Sequence, residues 1–248
     1  MFNPTDHDWR SYYRKEAKRY NALRYETHYG QLFKELHYKG LEKFLRSCLP
    51  GRALDVAAGT GHVSMLLASM GIDLTAIDMT EAMLLQARNS LKKKRLKAHF
   101  LLGNAFELPF GNEVFKIVIS TRFLHLWPYY RQQDLLHEMA RVLQRKGILI
   151  LDFYNRLHQE IFQIPILIYR KMLKKKQIGD ENYNRIKQSL AMIESEGFSI
   201  LDVKGVGGYY LIIPALVLKN LVSVVDRFSS HFPLLHLSEQ FLVKGQKN

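Results

Sequence analysis

From Arg52 to Tyr154 short apolar runs alternate with segments of helical spacing, and this rhythm constrains the fold more than any other feature of the 248-residue chain. In order they are ALDVAA, HVSMLLASM, LTAID, EAMLLQARNSLKKK, AHFLLGNA, FKIVIST, QQDLLHEMARVLQR and GILILDFY. Strict strand–helix alternation argues for βαβ units, hence a parallel sheet with right-handed crossovers. The first 50 residues read differently, as two or three aromatic and basic helices stopped at Pro50-Gly51. After Tyr154 the rhythm breaks, then resumes with a helix over 184–196, a turn at Gly197, the strand FSILDVKGV and a last strand in LSEQFLVKG.

The chemistry concentrates in LDVAAGTGHVS, where Asp55 ends an apolar strand and Gly59-Thr60-Gly61 opens the next helix. Glycines at such a turn let backbone approach a ligand, and the helix start offers free N–H groups. Seventeen residues beyond Gly61, Asp78 ends the next strand, where a carboxylate can accept ribose hydroxyls. Glycine loop and acid together indicate a nucleoside-containing cofactor. Spacing alone leaves the dinucleotide fingerprint open, with Ser64 in place of its third glycine. Asp55, four residues before Gly59, would repel a pyrophosphate but suits a cationic sulfonium ligand that carries an ammonium group.

These stretches resemble the class I S-adenosylmethionine-dependent methyltransferases, especially the ubiquinone and menaquinone biosynthesis branch. The resemblance covers about residues 50–152 and rests on LDVAAGTG, AIDMTEAMLLQAR, GNAFELPF, FKIVISTRFLHLW and EMARVLQRKGILIL in that order. It implies a Rossmann-like, doubly wound, mostly parallel seven-stranded α/β sheet with helices on both faces and an antiparallel last strand. It also implies S-adenosylmethionine as cofactor, held by Asp55, Ala57, Gly59, Thr60, Gly61, Asp78, Met79, Asn104, Ala105 and Ser120. Tyr20 would join them from an N-terminal helical lid over residues 1–50, the cofactor domain being 51–248. Ala57 stands where glycine is commoner, Asn104 where aspartate is usual beside the adenine amino group, and Lys116 where aspartate is usual. Arg145-Lys146-Gly147 replaces a proline-glycine-glycine turn. An asparagine oxygen can still accept from an adenine amino group.

Methyl transfer is an in-line displacement, so alignment and exclusion of water dominate, and a base is needed only for a protonated acceptor. His125, after the fourth strand, is the candidate catalytic residue, beside a competing reading as a packed loop histidine; His62, in the first turn of the helix after Gly61, reads as solvent-facing in preference to a cofactor contact. Tyr209 and Tyr210 are candidate substrate contacts. A cap insertion is expected near 155–183 and an apolar helix near 214–228.

The expected acceptor is small or lipid-like, of quinone type. The formal net charge is +13, and a basic amphipathic helix near 166–176 can contact an anionic membrane surface. An RNA or tRNA methyltransferase is the rival, disfavoured because the charge is spread along the chain, and a catalytically lapsed binding or assembly factor is a third reading. One cysteine, Cys48, excludes an internal disulfide and any cysteine-cluster zinc site, which fits the cytoplasm. No histidine spacing indicates a metal site, no apolar run reaches ~20 residues, and no secretory signal is expected.

Overall fold

The computed structural model describes residues 6–48, 51–163, 182–207 and 234–248. Three helices come first: α1 (Asp6–Glu16), α2 (Tyr20–Tyr25) and α3 (His28–Arg46). The alternating core follows as β1 (Ala53–Val56), α4 (His62–Ser69), β2 (Leu74–Asp78), α5 (Glu81–Lys93), β3 (His99–Leu102), β4 (Phe115–Ser120), α6 (Tyr129–Val142) and β5 (Leu143–Tyr154). Strands β6 (Phe198–Val206) and β7 (Gln240–Lys247) complete one seven-stranded sheet, ordered β3-β2-β1-β4-β5-β7-β6. Pairing is parallel through β5, while β7 runs antiparallel between β5 and β6. The expected fold class is the observed one.

Every residue of β1 and β2 is buried, because helices cover both faces of the sheet. On one face Leu54, Val56 and Val118 pack with Leu135, Leu136 and Met139 of α6. On the other, Ala53, Ile117 and Ile119 pack with Phe33, Leu36 and Phe44 of α3 and with Leu66 and Leu67 of α4. The N-terminal segment thus contributes α3 to one core layer. Buried Lys244 of β7 fixes its far end, donating 2.8 Å to the Phe44 carbonyl and 2.7 Å to Ser47 Oγ. A cation there also complements the negative end of the α3 dipole.

The expected helix QQDLLHEMARVLQR stops at Val142, and β5 begins at Leu143 rather than at Gly147. Lys146 adopts φ +59°, and the pairing skips from Phe115↔Leu143 to Ile117↔Ile148. Arg145-Lys146-Gly147 is therefore a bulge inside the strand pair, not a turn between helix and strand.

Candidate active site

The carboxyl ends of β1, β2 and β4, with the loops behind β3 and β4, open on one cleft roofed by α1 and α2. This is where an open parallel sheet binds ligands, at the point where strand order reverses on either side of β1. Of the residues expected at the cofactor, Tyr20, Asp55, Ala57, Gly59, Thr60, Asp78, Met79, Asn104 and Ala105 line it.

Asp55 is 2% exposed and accepts a 2.6 Å hydrogen bond from Ser64 Oγ. Burial pushes its carboxyl up to about 7, with the nearby Asp78 charge adding to the rise. Asp78 accepts from the backbone N–H of Gly59 at 2.9 Å and of Thr80 at 2.8 Å, so it ties the glycine loop to the end of β2. Its pKa too is raised by burial, against the pull of those two bonds.

The two loop glycines have different duties. A Cβ on Gly59 (φ +55°) would meet nothing within 4 Å, whereas one on Gly61 (φ +79°) would lie 2.8 Å from Ala87 Cβ. Gly59 leaves space in the cleft; Gly61 lets α4 close on α5. The expectation that the glycines of this turn let backbone approach a ligand therefore fits Gly59, while at Gly61 the missing side chain serves packing against Ala87. Ala57 also has a positive φ, +59°, which explains physically why glycine is the easier residue there.

Two expected residues are placed otherwise, and a third is bonded otherwise. Ser120 is buried and donates to the Val56 carbonyl at 2.9 Å, holding β4 to β1 without lining the cleft. His125 is 7% exposed, tilted against Tyr154 at 4.3 Å, and does not line the cleft either. Burial holds its pKa well below the usual histidine value, and its Nδ1 has no hydrogen-bond partner. Asn104 is in place, but the oxygen expected to receive an adenine amino group accepts the Phe106 N–H at 3.1 Å. Tyr209, Tyr210, the basic segment 166–176 and the helix expected near 214–228 lie outside the described residues.

Several site residues escaped sequence reasoning. His62, for which the solvent-facing reading was preferred to a cofactor contact, lines the cleft and stacks on Tyr25 at 4.1 Å and beside Tyr38 at 4.7 Å. Burial holds it neutral, at a pKa of about 2. Thr60 donates 2.7 Å to Asn21 Oδ1, a second latch between lid and glycine loop. Trp9 and Tyr13 of α1, Tyr25 of α2, and Arg122, Phe123 and Trp127 behind β4 complete the walls. Only the aromatic spacing of the first 30 residues hinted at the lid, without saying which rings turn inward.

Residues 53–147 match the family model described as a methyltransferase domain. The match is confined to this stretch of the chain, which holds the glycine loop and both acids of the cleft. A ubiquinone/menaquinone biosynthesis C-methyltransferase from Cereibacter sphaeroides is 33% identical over 119 residues, which are 46% of this chain and 47% of that one. An uncharacterized protein from Mycobacterium tuberculosis is 38% identical over 96 residues, 39% of this chain and 34% of that one. The chain thus spans between a third and a half of these curated relatives. Among solved structures, a magnesium protoporphyrin IX methyltransferase from Synechocystis with bound S-adenosylhomocysteine superposes with TM-score 0.71 at 13% identity, over 98% of this chain and 100% of that one. A [4+2]-cyclase superposes with TM-score 0.69 at 16% identity, over 100% and 97%. At such identities these likenesses show the fold, and the cyclase demonstrates that the fold serves more than one reaction. Among the described residues, no helix is long and apolar enough to cross a membrane, and no cluster of His, Cys, Asp and Glu is suited to a metal ion.

Proposed function

We propose that the chain binds S-adenosylmethionine and transfers its methyl group to a small or lipid-like acceptor of quinone type. The observation that carries this reading is the cleft itself. It combines an open glycine position at Gly59, a buried acid at Asp55 and a second acid at the end of β2. The fit is chemical as well as spatial. Asp55, held protonated near neutrality by burial, gains a partner when an ammonium arrives, and Asp78 keeps lone pairs for ribose hydroxyls beyond its two backbone bonds. With its oxygen on Phe106, Asn104 offers its amide N–H₂ as a donor, which matches an adenine ring nitrogen better than the adenine amino group.

The cofactor supplies a methyl carbon made electrophilic by a sulfonium. The chain's part is to hold that carbon in line with the acceptor and keep water out, through the apolar walls of Phe123, Leu126, Trp127 and Trp9. The family relation to a quinone-biosynthesis enzyme and these aromatic walls support the acceptor class. His125, set off the cleft lining, acts in this reading as packing behind the β4 loop.

The test is thermal. S-adenosylhomocysteine at about 100 times its dissociation constant adds ~2.7 kcal/mol to stability, a clear rise in Tm, while NAD adds none. Asp78→Ala removes most of that rise. Stabilisation by NAD alone would reject the reading. Radiolabelled methyl donor incubated with cell lipids and with total RNA then decides the acceptor: label in the organic fraction is expected, and label confined to RNA points to the rival.

A further inference from the structure

Arg122 is the one guanidinium among the described residues that lines the cleft, and nothing in the cofactor reading uses it. It sits immediately behind β4 with φ +55°, a conformation that a side-chain-bearing residue keeps only where its surroundings impose it. Asp152 of β5 imposes it, accepting the Arg122 backbone N–H at 2.6 Å through Oδ1. The other Asp152 oxygen faces His37 Nε2 at 3.2 Å, so the nearest acid is occupied by groups other than the guanidinium. The guanidinium lies 5.3 Å from the centre of the Tyr25 ring, and its Nε is shielded from water without any hydrogen-bond partner. A second cation, Arg24 of α2, stands over Tyr20 at 5.7 Å, and the two positive charges oppose each other. Tyr25, which shares a side-chain hydrogen bond with the guanidinium, and the Asp152 charge favour its charged form against burial, while the unpartnered Nε and the like charge of Arg24 leave it well placed for an incoming anion.

The position selects which ligand brings that anion. In the order β3-β2-β1-β4-β5, Asn104 follows β3, Asp78 ends β2 and Asp55 lies on β1, so the nucleoside and the ammonium occupy the first three strands. Arg122 lies beyond them, on the β4–β5 side, next to Phe123, Leu126 and Trp127. We propose that Arg122, backed by Arg24, is an anion-binding subsite for the methyl acceptor, and that the acceptor joins a carboxylate to an apolar, aromatic body. Guanidinium and carboxylate match in shape and can form two parallel hydrogen bonds, one of them from Nε. The inference rests on the proposed function and deepens it: the acceptor is apolar, yet it is recognised by charge.

The protein loaded with S-adenosylhomocysteine is titrated with 2-naphthoate and with 2-naphthamide, which has the same shape without the charge. Naphthoate is expected to bind at least tenfold more tightly. Arg122→Gln brings the two within twofold of each other, and Arg122→Lys keeps part of the preference. In both variants the affinity for S-adenosylhomocysteine stays within twofold. Arg122→Gly, which suits the positive φ, replaces the glutamine variant if circular dichroism shows that variant to be unfolded. Equal binding of the two probes overturns the proposal, as does no naphthoate binding at millimolar concentration or a preference that survives loss of the guanidinium. A tenfold loss of S-adenosylhomocysteine affinity also overturns it, assigning the guanidinium to the cofactor's own carboxylate. Failure of the unaltered protein to bind S-adenosylhomocysteine at all is a different result, which removes the proposed function beneath it.

Discussion

In the proposed function, the carboxyl of Asp55 makes cofactor affinity depend on pH in a window set by its burial. Burial pushes the acid from 3.8 to about 7, so below neutrality it is mostly protonated and cannot pair with the ligand ammonium. Binding must then expel a proton, and the dissociation constant of S-adenosylhomocysteine rises about tenfold for each pH unit below ~7, levelling off above ~8. The effect on folding has the opposite sense. An acid whose folded pKa is raised contributes stability that is full below its ordinary value and is lost as pH climbs through about 7. At ~1.4 kcal/mol per pH unit the ceiling on that loss is ~4 kcal/mol. Asp55→Asn keeps an acceptor for the Ser64 hydroxyl and carries no charge, so it raises the Tm of the ligand-free protein at pH 8 while flattening the binding profile. Calorimetry from pH 5 to 8 in buffers of different ionisation enthalpy measures both slope and proton release. Asp78, also raised by burial, is the other acid in the cleft. 5′-Methylthioadenosine, which has the ribose and no amino acid, isolates its share. A flat profile, a slope that survives Asp55→Asn, or equal slopes for the two ligands would refute the assignment of the ammonium to Asp55.

The glycine loop separates space for ligand from space for packing. Gly59→Val abolishes S-adenosylhomocysteine binding in a folded protein, whereas Gly61→Val loses at least ~2 kcal/mol by denaturant titration, because its side chain meets Ala87; equal stability of the two variants contradicts this. Ala57→Gly relieves a positive φ and stabilises by about 1 kcal/mol, read as a higher denaturation midpoint, and a lower midpoint speaks against strain at that residue. Lys244→Met leaves the Phe44 carbonyl and Ser47 hydroxyl without their donor and costs ~1–3 kcal/mol. Hydrogen exchange in that variant is fastest at the end of α3, and uniform exchange along the helix would show that the lysine does not fasten it.

The sheet and the meeting of Asp55, Gly59, Asp78 and Asn104 in one cleft were legible in the sequence because both are written in contiguous segments. Apolar runs of strand length alternating with helical ones dictate parallel βαβ pairing, and parallel pairing brings every strand's carboxyl end to the same edge. Asp55, Gly59, Asp78 and Asn104 each sit at such an end, so their convergence follows from topology alone. What the pattern could not supply is the direction in which a side chain leaves the backbone. His125 and Arg122 are three residues apart in the same loop, yet the arginine lines the cleft and the histidine packs against Tyr154. A hydrogen bond from Asp152, thirty residues away, fixes the backbone of Arg122. The start of β5 was misplaced for a similar reason: the sequence of Arg145-Lys146-Gly147 reads as helix end and turn, and only pairing with β4 makes it a bulge. The lid shows the same limit. Its rings were visible as a helical stripe, but Tyr25 meets His62 only because α3, fastened through Lys244 to the last strand, swings the N-terminal segment over the glycine loop. Local spacing determines which elements form and where they end; contacts between residues far apart in the chain decide which side chains reach the ligand, because only they set how elements lie against one another.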